Sequence, residues 1–108
     1  MYEIRYRGEP VGYTRFETVL EMMGFAEGLL ECRPSFESLR SELASWQEPE
    51  PEFASIAFVP AGVDLAVFTA EGRRLLARVD NLREESAQIY IMASVNDADF
   101  WRAAAAAL

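Results

Sequence analysis

The chain has 108 residues with no histidine, no lysine and a single cysteine. Each absence removes chemistry. Without His there is no imidazole base and no Ser-His or Cys-His relay. Without Lys there is no Schiff-base nucleophile and no phosphate-gripping lysine. Cys32 alone cannot close an internal disulfide, which points to a reducing compartment. No apolar run reaches the roughly 18 residues that span a bilayer. Met1-Tyr2-Glu3-Ile4-Arg5 lacks the basic-then-apolar order of a secretory leader. Abundant Ala, with Arg as the only strongly basic residue, reads as a GC-rich bacterial genome, and the expected setting is the cytoplasm.

What is present fits one domain over residues 1–108, 51% hydrophobic and 12% aromatic, with mean hydropathy near zero. Eighteen acidic residues face ten arginines, for a net charge of −8. That balance excludes the cationic footprint of a nucleic-acid binder and disfavours an anionic membrane surface. It suits a basic protein partner. The excess is local. Residues 17–52 hold nine Glu against Arg33 and Arg40, whereas 1–16 and 53–83 are each slightly positive. Such a segment either solvates a face or steers a partner.

Tyr2, Ile4 and Tyr6 alternate with Glu3, Arg5 and Arg7, as in a half-buried strand. A turn at Gly8-Glu9-Pro10 leads to a second alternating run over 11–17, predicting a hairpin. Residues 14–31 have two readings. Thr14-x-x-Glu17 fits a capping box, and Phe16, Val19, Leu20 and Met23 have helical spacing. Gly24 and Gly28 oppose a long helix, each costing about 1 kcal/mol in its interior.

The string Val11-Gly12-x-Thr14-x-Phe16-Glu17, then Met23-Gly24-x-Ala26-x-Gly28 and an aromatic Phe36, resembles a group of small bacterial proteins of unassigned function. Their pattern runs V-G-x-[ST]-x-x-[LF]-E, then M-G-x-A-x-G. The resemblance covers about the first third of the chain and brings no activity with it. It implies an extended segment at the second glycine pair, so 24–31 is expected to be a strand and 18–23 a connecting loop or single turn. In that group a Pro follows this segment; here Cys32 takes the place and Pro34 comes two residues later.

Pro34-Ser35-Phe36 opens a helix over about 35–47, with Phe36, Leu39, Leu43 and Trp46 on one stripe. Glu48-Pro49-Glu50-Pro51-Glu52 ends it as a stiff, anionic, exposed loop. Short strands are expected over 54–59, 63–69, 75–82 and 88–95, with a hairpin turn at Ala70-Glu71-Gly72 and a break at Pro60-Ala61-Gly62. In 75–82, Leu75 or Leu76 faces inward with Ala77 and Val79; in 88–95 the inward set is Ile89, Ile91, Ala93 and Val95. Asn96 or Asp97 caps a last helix over 97–108, whose Phe100, Trp101, Ala104 and Leu108 dock on the sheet. Most other aromatics, including Phe53, Phe58 and Phe68, sit at positions expected to face the core. The fold expected is α+β: a mainly antiparallel sheet of about six strands with two helices packed on it. Its edges leave room for a homodimer.

No catalytic constellation assembles. Asp97/Asp99, Glu84/Glu85 and Glu48/Glu50/Glu52 lack the spacing of a calcium loop, so no metal and no cofactor are expected. Cys32 has only Arg33 beside it as an activator. Gly24-x-x-x-Gly28 has no following Lys and is structural. The function expected is therefore binding, not catalysis: an immunity- or antitoxin-type inhibitor that blocks a basic cleft on a toxin or enzyme. Its contact set would be Glu42, Trp46, Glu48, Glu50 and Glu52, with Glu27 and Glu31 as neighbours. The alternatives are a ligand-binding or enzymatic domain with Arg5, Arg7, Arg73, Arg74 and Arg78 around a pocket between sheet and helices, and a structural homo-oligomer subunit.

Overall fold

A computed structural model of the chain describes residues 1–48 and 55–107. Strand β1 (Tyr2–Tyr6) turns at Arg7-Gly8, both at positive φ, into β2 (Glu9–Thr14). Positive φ at both central residues matches the twist of a two-residue hairpin. The turn thus lies earlier than Gly8-Glu9-Pro10, and Glu9 and Pro10 already belong to β2. Next come β3 (Thr18–Leu20), a 3-10 turn (Glu21–Met23) and β4 (Phe25–Cys32). A 3-10 turn at Pro34–Phe36 feeds α1 (Glu37–Trp46), followed by β5 (Gln47–Glu48) and β6 (Ser55–Phe58). The chain continues through β7 (Leu65–Phe68), β8 (Ala77–Glu85), β9 (Gln88–Val95) and α2 (Ala98–Ala106).

The class is α+β, with an antiparallel sheet in the order β5-β6-β8-β9-β4-β2-β1-β7 and β3 paired to β4 beside this path. The strands outnumber the six or so expected. The additions are β3 and β5, of three and two residues, too short to show a period of two. No helix crosses 14–31. The hairpin expected at Ala70-Glu71-Gly72 closes only locally, through Thr69 and Arg73 (2.8 Å) and a bridge between Phe68 and Arg74.

The sheet is curled. Leu75 donates to the Val67 carbonyl of β7 at 2.8 Å, and β8 begins two residues later at Ala77. Two residues span at most about 7 Å. In a flat sheet, five strand steps would set β7 and β8 about 24 Å apart. The sheet therefore wraps, bringing its β7 end back to β8. The inner face carries Ile4, Tyr6, Val11, Ala26, Leu30, Val67, Val79, Leu82 and the whole expected β9 set. Phe36, Leu39 and Leu43 of the α1 region and Phe100 of α2 enter the same core. Tyr2, Phe16, Phe100 and Trp101 pack as tilted and edge-on rings with centroids 4.9–5.8 Å apart.

A bulge decides the phase of β8. Val79 pairs with Ala93 and Asn81 with Met92, leaving Asp80 as an extra residue. Inward facing thereby passes from Val79 to Leu82. Before it, Leu75 is 2% exposed and Leu76 65% exposed, which settles which of the two leucines faces the core.

Candidate functional site

The surfaces able to meet a partner follow from this wrap. On α1, Leu39 and Leu43 point inward, and Trp46 packs half-buried against the core. Glu42 stands one turn before Trp46 and is also half-buried. Along the wet side Glu37 meets Arg40 at 3.2 Å, and Arg40 reaches Glu84 of β8 at 3.6 Å. The backbone of Glu48 pairs with Ile56. Its side chain, and all of Glu50, Glu52 and Phe53, lie outside the described residues. So does Leu108.

Glu27 and Glu31 belong to another surface. Ala26, Gly28 and Leu30 face the core with α1, so the intervening residues of β4 face outward. Register places Leu20, Phe25, Ser94 and Arg78 in one outer row. Thr18, Glu27, Met92, Asn81 and Phe58 form the next, and Leu29, Tyr90, Arg83 and Ile56 a third. Glu27 lies 3.6 Å from Arg83, whose guanidinium sits 4.8 Å from the centre of the Tyr90 ring. Asp80 binds Arg78 at 2.9 Å and accepts from the Ser94 hydroxyl. The expected contact set is thus divided: Glu42 and Trp46 on α1, Glu27 and Glu31 on the far side of the sheet. Phe58, at a position expected to face the core, is half exposed instead.

Among the described residues the best-connected carboxylate is Asp97. Buried at the N-terminus of α2, it accepts from the amides of Phe100 and Leu76, each at 3.1 Å. It also takes both arms of Arg73, at 2.8 and 3.2 Å. The Arg73 hydrogen bonds hold its carboxyl well below the usual carboxylate range, against the opposing effect of burial. The same bonds raise Arg73. This is a helix cap and a brace, joining α2 to the segment between β7 and β8.

Three of the five arginines of the alternative pocket have carboxylate partners of their own. Arg5 pairs with Glu3 at 2.5 Å and lies over Phe68, Arg73 holds Asp97, and Arg78 holds Asp80. A cleft of about 490 Å³ does open beside α2, lined by Met1, Tyr2, Glu71, Arg73, Asp99 and Phe100 among others. Its two carboxylates disfavour an anion there. Burial raises the pKa of Tyr2, with Asp97 adding to it. Cys32 is exposed as a residue, but its sulfur turns to the Leu30 carbonyl at 3.7 Å. Desolvation raises its pKa, outweighing the opposing pull of Arg40. Arg33, its sequence neighbour, is engaged with the Tyr13 hydroxyl at 2.7 Å. Among the described residues no three Cys, Asp or Glu side chains gather as a metal site, and no helix is long and apolar enough to cross a membrane.

One surface feature was not singled out from the sequence. Leu20 at the end of β3 and Met22 and Met23 on the turn that follows it are all exposed. The signal available was the Met22-Met23 pair immediately before Gly24, where a turn leaves apolar side chains no neighbouring strand to cover them.

Compared with protein-family models, curated proteins and solved structures, the chain finds no match.

Proposed function

We propose that the chain is a protein-binding inhibitor of the immunity or antitoxin type, acting in a bacterial cytoplasm on a toxin or enzyme with a basic cleft. The observation that carries this reading is how the charge is disposed. Six arginines (Arg5, Arg40, Arg73, Arg78, Arg83 and Arg102) lie against carboxylates within the chain. Of the nine Glu in 17–52, Glu27 and Glu37 are among these partners, and the other seven, against Arg33, remain to set the outer field. A cleft that binds a polyanion is cationic, and a carboxylate-bearing surface can fill it with fast, steered association. Glu42 and Trp46 are the proposed contacts on α1, with Glu48, Glu50 and Glu52 beyond it and Glu27 and Glu31 across the sheet.

The test is capture by the tagged chain from the source bacterium, in a salt series, with bound proteins identified by mass spectrometry and association rates then measured on the purified pair. A cationic toxin or nucleic-acid enzyme whose association slows steeply with salt, and whose activity the chain abolishes, supports the reading. Capture of none, or association indifferent to salt, overturns it.

A further inference from the structure

The exposed turn between β3 and β4 stands apart from the acidic helix. Within four residues, Met22 is fully exposed, Met23 is 64% and Leu20 47% exposed. Large apolar side chains clustered on a surface without intramolecular partners are characteristic of contact sites. Their backbone is well anchored. The amide of Gly24, at φ +72°, donates to the Glu21 carbonyl at 3.0 Å and closes the turn. The Gly24 carbonyl accepts from Val95 at 2.8 Å, tying the turn to the end of β9. Register carries Leu20 on to Phe25 of β4, extending the apolar surface onto the outer row of the sheet. A fixed backbone presenting flexible thioethers suits a socket of irregular shape.

The charges around the turn narrow the occupant. Between Arg15 and Arg33 the chain carries Glu17, Glu21, Glu27 and Glu31 and no basic residue. The arginines sharing this outer face are already paired, Arg78 with Asp80 and Arg83 with Glu27 and Glu85. A second copy seated on the turn would bring like-charged segments together, and an anionic membrane would be repelled in the same way. We infer that Leu20, Met22 and Met23 are the apolar anchor of the partner interface, entering an apolar socket with a basic rim on a cationic protein. This rests on the inhibitor reading and locates its anchor on the β3–β4 turn, away from α1.

The experiment uses the full chain carrying a photo-reactive methionine analogue, alongside a Met22→Asp/Met23→Asp variant and a Glu42→Gln/Trp46→Phe variant. The probe is the cationic protein identified by the salt-graded capture. Crosslinks from positions 22 and 23 to that protein, with affinity at least tenfold weaker for the Met22→Asp/Met23→Asp variant and an unchanged thermal midpoint, are expected. Unchanged affinity for this variant while Glu42→Gln/Trp46→Phe loses binding overturns the anchor and leaves the inhibitor reading standing. Crosslinks to a second copy, with a dimer by light scattering that the Asp variant dissociates, overturn it in favour of self-association. If no cationic protein is captured, the inhibitor reading and the anchor fall together.

Discussion

The carboxylate of Glu17 accepts a hydrogen bond from the amide of Leu29, twelve residues away, at 2.9 Å. Thr14 acts beside it, its hydroxyl accepting from Phe16, whose backbone is at φ +48°. The Thr14-x-x-Glu17 pair therefore braces an extended segment, with no helix for it to cap. Gly28 lies beneath: a Cβ there would press on the Thr14 hydroxyl, the Glu17 carboxylate and the Phe16 amide. Gly12 faces a similar limit, since its Cβ would lie 2.8 Å from Leu30 Cδ1 and 2.9 Å from the Glu31 carbonyl. Gly12 and Gly28 thus mark close approaches, whereas Gly24 serves the turn through its positive φ.

Gly28→Ala is accordingly expected to destabilise the fold by about 1–3 kcal/mol, the usual cost of overpacking a filled site. Thr14→Val, which puts a methyl in place of the hydroxyl, should not rescue it, because that methyl, the Glu17 carboxylate and the Phe16 backbone all still obstruct the new Cβ. Urea midpoints of the two single variants and the double variant measure this.

Asp97→Asn should cost about 2 kcal/mol, by weakening a helix cap and the bidentate Arg73 contact together. The sign of the pH effect follows from the depressed carboxyl. Its contribution is present in full above the ordinary carboxylate value, near 3.9, and is lost as pH falls below it. Urea unfolding at pH 7 and at pH 3 should show wild-type stability falling toward acid, and Asp97→Asn falling less. Equal slopes would remove Asp97 from the acid dependence.

The two adjacent leucines give a sharp contrast. Leu75→Ala should cost about 2–5 kcal/mol as a core truncation. Leu76→Ser should change stability by less than about 0.5 kcal/mol, as a surface substitution. Thermal denaturation of the pair is sufficient.

Cys32 should react slowly with iodoacetamide at pH 7, more slowly than a free cysteine, because its raised pKa keeps the thiolate scarce. Its rate should climb as pH is raised beyond 9. Fast alkylation at neutral pH would contradict the packing around its sulfur.

Much of the fold could be read from residue order. Alternation in 2–7 and 88–95 gave strands and their inward faces, and Pro34 with the Phe36, Leu39 and Leu43 stripe gave the first helix. The remainder depended on events with no local signal. A single extra residue at Asp80 moves inward facing onto Leu82, and no periodicity announces where a bulge falls. β3 and β5 owe their existence to the neighbours they pair with. For the contact surface, β4 itself held the correction: once Ala26, Gly28 and Leu30 are taken inward, Glu27 and Glu31 must leave by the opposite side from α1. The Arg73–Asp97 brace joins residues 24 apart in sequence and was legible only as a cap.

The return of β7 to the sheet has a kinetic consequence. β1 pairs with β7 across roughly sixty residues, Tyr6 opposite Leu65 and Glu3 opposite Phe68. The hairpins β1–β2 and β8–β9 need only local turns, and can form before the chain between them is ordered. Joining β1 to β7 instead closes a long loop, whose entropy is lost before its contacts are gained. The rate at which newly made chain becomes competent is therefore set by these long-range joins, β1 to β7 and likewise β4 to β9, where Phe25 meets Ser94.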